Sequence, residues 1–152
     1  MVMKWSDLLG ESLIEVNARR DSNIYRYAPI SELDNKVVAI YFAAHWCVPS
    51  QNLTPELSTC YTEVQSELQD RFEIVFVSLD EDEKSFNEYF QTMPWKAIPF
   101  SDRDRQKNLY EKFKLEGIPT LVVLSADGVL LNPDGCDDID NKGSDAIRSW
   151  SK

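Results

Sequence analysis

At 152 residues the chain is long enough for one domain with a proper core, and 43% hydrophobic with 28% charged residues is the balance of a soluble globular protein. A net charge of −10 works against binding nucleic acid or anionic lipid, and the one adjacent basic pair, Arg19-Arg20, makes no basic patch. No apolar run approaches the ~20 residues of a membrane span, and three cysteines without framework spacing argue against a secreted disulfide scaffold.

Met1 to Asp7 lacks the apolar run of a secretory signal, so the expected location is the cytoplasm, with the nucleus as a further compartment. Ser12 to Val16 suggests a first strand, and Asp21-Ser22-Asn23 a polar turn. Residues Ala28 to Asn35 read as a loop holding a short helical turn. Val37 to Phe42 is apolar on both faces, as an internal strand should be. A helix is expected from about Cys47 to Leu68, with Pro55 inside it removing one backbone hydrogen bond. Leu53, Leu57, Tyr61, Val64 and Leu68 recur at three- and four-residue steps, the spacing of a core-facing stripe. Ile74 to Leu79 is the next strand, parallel to the first because a helix-sized insert separates them.

Asp80 to Glu83 supplies helix-start chemistry for Phe86, Tyr89 and Phe90. Met93 to Pro99 breaks that helix twice with proline. Asp104 is the expected cap of a helix carrying Leu109, Tyr110 and Phe113. Thr120 to Leu124 and Val129 to Leu131, joined across Asp127-Gly128, form an antiparallel hairpin. Ser144 starts a last helix through Ile147 and Trp150. The alternation is α/β, in a single domain over residues 1–152: a central mixed sheet flanked by helices, closing with a hairpin and a helix.

The chemistry concentrates where the strand at Val37 hands over to the helix. Cys47 sits at that junction, facing backbone N–H groups with no partner inside the helix. Such a position favours the thiolate, which is the nucleophilic form. No metal set accompanies it, since the chain has one His, His45, and no cysteine pair at ligand spacing. The five glycines are too scattered for a phosphate loop. No cofactor is therefore expected.

Trp46-Cys47-Val48-Pro49-Ser50 resembles the thioredoxin-type active site, with Ser where that site has its second Cys. The wider run resembles the tryparedoxin and nucleoredoxin family. Lys36 to Phe42, Leu53-Thr54-Pro55, Glu73 to Ser78, Met93 to Phe100 and Gly117 to Leu121 keep the family's order and spacing from about Leu9 to Gly128. Cys-x-Pro-Ser with Asn141-Lys142-Gly143 looks most like the short nucleoredoxin-like proteins. Past Val129 the match thins, and Asp134 to Asp140 follows no family pattern.

This resemblance implies a thioredoxin-like fold and a thiol–disulfide oxidoreductase working through Cys47. A Ser50 hydroxyl forms no disulfide, although it can donate a hydrogen bond to the Cys47 thiolate. The resemblance therefore implies a monothiol enzyme, resolved by an external thiol such as glutathione or a dithiol. Its partners would be protein disulfides and a low-molecular-weight thiol, with the chain itself a monomer. Two alternatives stand beside it: a redox-impaired thioredoxin-like binding or signalling protein, and a trap variant of a dithiol enzyme in which Ser replaced the resolving Cys.

The resemblance also makes Ile118-Pro119 the second half of the site, with Pro119 cis, opposite Cys47, and the preceding backbone pairing with substrate. Trp46, Val48 and Pro49 would shape the partner surface. Tyr41 falls where many thioredoxins carry a buried Asp, and Trp95 reads as structural support. His45, if protonated, would stabilise the thiolate; its plainer reading is a solvated loop side chain. Cys60 lies thirteen residues further along the same helix, roughly 19 Å from Cys47, beyond disulfide reach. Cys136 is expected in an exposed acidic loop, its thiolate disfavoured by neighbouring negative charge.

Overall fold

The computed structural model describes residues 4–16 and 25–152. The Arg19-Arg20 pair, the turn expected at Asp21-Ser22-Asn23 and residues Met1 to Met3 lie outside the described residues. The strands are β1 (Ser12–Val16), β2 (Tyr25–Pro29), β3 (Val37–Ala43), β4 (Phe72–Ser78), β5 (Lys96–Ala97), β6 (Thr120–Leu124) and β7 (Leu130–Asn132). The helices are α1 (Trp5–Leu9), α2 (Val48–Leu68), α3 (Glu83–Phe90), α4 (Arg103–Lys112), α5 (Gly135–Lys142) and α6 (Ser144–Trp150). All the strands join one mixed sheet in the order β2-β1-β5-β4-β3-β6-β7.

β3 runs parallel to β4 on one side and antiparallel to β6 on the other. Its side chains alternate between two cores. Ala39, Tyr41 and Ala43 pack with α2, α3, α5 and α6, while Val38, Ile40 and Phe42 pack with α1 and α4. β4 divides likewise, with Phe72, Ile74 and Phe76 on the first face and Val75 and Val77 on the second. With both faces covered there is no apolar–polar alternation, so Val37 to Phe42 and Ile74 to Val77 read as continuous apolar runs. The expected stripe of α2 is buried throughout. Removing one such side chain, as in Leu57→Ala, costs about 2–5 kcal/mol.

The hairpin of β6 and β7 turns at Gly128, whose φ of +84° suits glycine and strains other residues. Several elements depart from the sequence expectations. Ala28 and Pro29 belong not to a loop but to the end of β2, an edge strand on which Ala28 is the buried residue, so it carries no apolar alternation. The short helical turn follows at Ile30–Leu33. β5 lies inside the proline-bounded Met93–Pro99 segment, pairing Lys96 and Ala97 with β4 and β1. α4 is capped by Asp102, whose carboxylate accepts the Arg105 N–H; Asp104 sits in the first turn instead. The acidic Asp134–Asp140 segment is mostly helix α5, docked on β6 by Ile139 and by Gly135, where a Cβ would meet Leu121 at 3.1 Å.

A charge cluster buried at Lys96 and Glu73 braces the sheet. Lys96 Nζ lies 3.4 Å from Glu73 and 3.8 Å from both Glu15 and Glu32. Glu73 also accepts hydrogen bonds from the Tyr61 hydroxyl at 2.8 Å and the Ile74 N–H at 2.9 Å. These bonds offset the desolvation of a carboxylate that is 6% exposed.

Candidate active site

The site forms at the end of β3, where parallel strands commonly present functional loops. The chain leaves Ala43, turns through Ala44, His45 and Trp46, and enters α2 with Cys47 at the N-cap position. The turn is closed by the Cys47 N–H donating to the Ala44 carbonyl at 3.1 Å. Pro49 lies in the first turn of α2, where its missing N–H costs nothing. Cys47 is therefore placed by strand and helix together, with 9% of its surface exposed.

The Cys47 Sγ lies 3.7 Å from the Ile118 carbonyl oxygen. Ile118 precedes Pro119 in the loop entering β6, and the peptide bond between them is cis. Trp46 and Val48 stand out at 61% and 62% exposure, and Pro49 is exposed beside them. Ser50 is wholly buried. Its hydroxyl accepts from the Ala44 N–H at 3.4 Å, so its contact in this structure is with the turn rather than with the Cys47 sulfur.

Below the first helical turn lies a knot of hydroxyls. The Tyr41 hydroxyl pairs with Thr54 Oγ1 at 2.8 Å, Thr54 Oγ1 meets the Tyr89 hydroxyl, and Tyr89 donates to the Ser50 carbonyl at 3.0 Å. Burial pushes both phenols up, Tyr41 furthest, so neither ionises near neutral pH. Tyr41 therefore braces α2 and offers no acid at the place where many relatives carry one. Trp95 is buried edge-on to Tyr41 at 6.0 Å and to Tyr61 at 5.7 Å, a supporting position.

His45 is half-buried rather than fully solvated: its ring stacks on Tyr89 with centroids 5.2 Å apart and planes at 17°. Its backbone N–H donates to Asp80 Oδ1 at 2.8 Å, and Asp80 Oδ2 takes the Ser78 hydroxyl at 2.7 Å. Asp80 is 3% exposed, just past β4, and the Trp46 indole N–H reaches the neighbouring Leu79 carbonyl at 3.3 Å. Arg103 ties that segment to α4 by donating to the Ser78 carbonyl at 3.1 Å. The sequence reading took Asp80 for helix-start chemistry and missed its anchoring role. The available signal was an acid at the carboxyl end of a strand parallel to β3.

A groove of about 450 Å³ opens beside the thiol, lined by Trp46, Cys47, Leu79 and Ile118 and walled by Gln106, Lys107, Tyr110 and Glu111 of α4. The α4 wall carries no motif and was not foreseen. The other two cysteines are elsewhere. Cys60 is buried on α2, and desolvation ahead of Glu63 and Glu56 raises its thiol. Cys136 is not in an exposed loop. It sits on α5 with its Sγ 3.8 Å from the Pro119 carbonyl, and burial, ahead of Asp134 and Asp140, pushes its thiol up to about 12. All three cysteines are free thiols. Among the described residues no three His, Cys, Asp or Glu side chains are placed to hold one metal ion, and no helix is long and apolar enough to cross a membrane.

Residues 35–130 match a family model described as thioredoxin-like. The chain belongs to the thioredoxin-like family. Over 117 residues it is 46% identical to the Arabidopsis thaliana protein named probable nucleoredoxin 1, a match covering 77% of this chain and 20% of that one. Native tryparedoxin I from Crithidia fasciculata superposes with a TM-score of 0.84 at 29% identity, covering 99% of both chains. A tryparedoxin II complexed with glutathionylspermidine superposes with a TM-score of 0.79 at 29% identity over 93% of both. The chain spans 20% to 30% of the length of the first nucleoredoxins it matches. The family is one of oxidoreductases, and the expected α/β sheet with its closing hairpin and helix is the thioredoxin-like fold.

Proposed function

We propose that the chain is a thiol–disulfide oxidoreductase working through the Cys47 thiolate alone. The thiolate attacks one sulfur of a partner disulfide, the bond to Cys47 forms as the partner's S–S bond breaks, and the departing thiolate takes up a proton. Ser50, at the resolving position, cannot continue the exchange. An external thiolate then attacks the mixed disulfide, carries the bound sulfur away as a new disulfide and frees Cys47. Glutathione or a dithiol would serve, and the resemblance to a tryparedoxin complexed with glutathionylspermidine supports a small thiol in this role.

The observation that carries this reading is the placement of Cys47 at a helix start on an open groove, facing the Ile118 carbonyl, whereas Cys60 is buried on α2 and the half-buried Cys136 has its thiol pushed up to about 12 by burial and by its acidic neighbours. Trp46, Val48, Pro49, Ile118 and Pro119 would hold the protein partner. No bound cofactor enters the reaction. We place the protein in the cytoplasm, and in the nucleus besides, as a monomer that binds neither nucleic acid nor membrane. Three free thiols fit a reducing compartment. The test is turnover of a protein disulfide with and without glutathione. Activity should require the external thiol and vanish in Cys47→Ser; turnover that survives Cys47→Ser would overturn the assignment.

A second reading has its own support. The exposed apolar rim of Trp46 and Val48 would suit a partner-binding protein whose Cys47 at most locks the complex. Such a protein would hold its partner after Cys47→Ser and show no turnover with any thiol.

A further inference from the structure

β7 is an edge of the sheet, paired only with β6, so its outward backbone N–H and C=O groups have no strand partner. The other edge, β2, is guarded by Arg26 and Pro29, a charge and a residue without an N–H, and both discourage a further strand. β7 has no charge and no proline between Leu130 and Asn132. It is apolar instead: the consecutive side chains Val129, Leu130 and Leu131 are 62%, 50% and 49% exposed. Leu131 also borders a groove of about 680 Å³ with Val37 and Trp150, in which the charges are mixed, Arg71 and Lys152 with Asp127. That groove lies at the start of β7, where the Asp127 turn lines it. At the other end β7 stops two residues before Asp134, and α5 opens there with Asp137 and Asp138 in its first turn.

We infer that β7 is a docking edge for an extended segment of another protein, one with alternating apolar side chains and basic residues at its N-terminal end. The segment adds antiparallel to β7, the more stable of the two pairings, and lengthens the sheet by one strand. Its main chain satisfies the open edge, and an apolar side chain enters the groove against Leu131 and Trp150. Antiparallel addition sets the N-terminal end of the segment beside the start of α5. Asp134 and Asp137 are exposed there, so a lysine or arginine meets opposite charge. A second copy of the chain fits the edge less well, because it would bring a further net charge of −10 to the same place. The inference does not depend on Cys47 chemistry, since this edge shares no lining residue with the groove beside the thiol.

The test is an NMR titration of the isotope-labelled full chain with an N-acetylated peptide of two lysines followed by a valine–threonine repeat. Binding should shift the amide signals of Leu130 to Asn132 and slow their hydrogen exchange, as a newly paired strand must. Leu131→Lys should weaken binding about tenfold, the scale of one lost apolar contact together with a charge set on the edge. It should keep the parent's circular dichroism and Cys47 alkylation rate, which separates loss of the edge from loss of the fold. Asp134→Asn combined with Asp137→Asn should weaken binding about threefold to tenfold, the size of two exposed charge contacts. A peptide with glutamates in place of the lysines should bind more weakly than the first. No amide shift at β7, or equal binding of the two peptides, would overturn the inference. So would a dimer, seen by sedimentation and abolished by Leu131→Lys, that the peptide fails to displace, since the edge would then belong to a second copy.

Discussion

The Cys47 sulfur stands 3.7 Å from the Ile118 carbonyl, and the next carbonyl along, that of Pro119, is approached by the Cys136 sulfur at 3.8 Å. Two thiols thus flank one short backbone segment in different surroundings. Cys47 borders an open groove at a helix start, whereas Cys136 is packed against β6 among acidic neighbours.

That contrast predicts selective labelling. Iodoacetamide on the native chain at pH 7.5 should modify Cys47 well before Cys136 or Cys60, and Cys47→Ser should stay essentially unlabelled until denaturant is added. Peptide mass mapping reads the result. Prior modification of Cys136 would show that its partial exposure outweighs the protonation that its surroundings impose.

Cys136 also makes a prediction about alkaline stability. Its thiol is raised in the folded chain to about 12, against an ordinary value of about 8.5. The folded state therefore holds the proton where the unfolded state has released it. The resulting stability is fully present below about pH 8.5 and is lost as pH rises toward 12. Urea midpoints should fall from pH 8.5 to 10, and Cys136→Ala should flatten that fall by about 2 kcal/mol at pH 10. Parallel slopes for the two proteins would contradict the buried setting.

Lys96 is the counter-charge for a buried carboxylate. Lys96→Met keeps most of the side-chain volume but leaves Glu73 unpaired, which should cost about 3–5 kcal/mol at pH 7. Adding Glu73→Gln to Lys96→Met should recover much of the loss. Equilibrium denaturation checks both, and an unchanged midpoint in Lys96→Met would mean that the Lys96–Glu73 pair contributes no net stability.

Asp80 holds the His45 N–H and the Ser78 hydroxyl. Asp80→Ala leaves both without this acceptor, which should cost about 1–3 kcal/mol. The loop carrying Trp46 and Cys47 should also loosen, so the Cys47 alkylation rate should change while the sheet stays intact by circular dichroism. A stability loss with the Cys47 rate unmoved would make Asp80 purely a fold residue.

Much of this was legible in the chain itself, for reasons particular residues make plain. Val37 to Phe42 and Ile74 to Leu79 announced the sheet because both faces are buried. Leu53 to Leu68 announced α2 because one face is. Cys47 stood out because local sequence places it at a helix start, whereas Ser50 and Ile118-Pro119 stood out through the resemblance to the thioredoxin-type site. What stayed hidden depends on long-range pairing. β2 is polar at its edge, β5 is two residues long, and Asp80 acts on a backbone N–H thirty-five residues away. Cys136 misled because its acidic neighbours suggested solvent, whereas Ile139 and Gly135 dock that turn onto β6.

The central claim is that Cys47 works without a partner thiol, and restoring the missing sulfur tests it most directly. Given a protein disulfide and no glutathione, the chain should accumulate as a mixed disulfide at Cys47, seen by intact-mass measurement. Ser50→Cys places a second thiol three residues on, within the first turn of α2, and makes the attack intramolecular. Disulfide reduction driven by a dithiol should then rise by at least an order of magnitude in Ser50→Cys, with the mixed disulfide no longer accumulating. If the Ser50 protein already turns over as fast as Ser50→Cys, another group resolves the disulfide and the monothiol account is wrong.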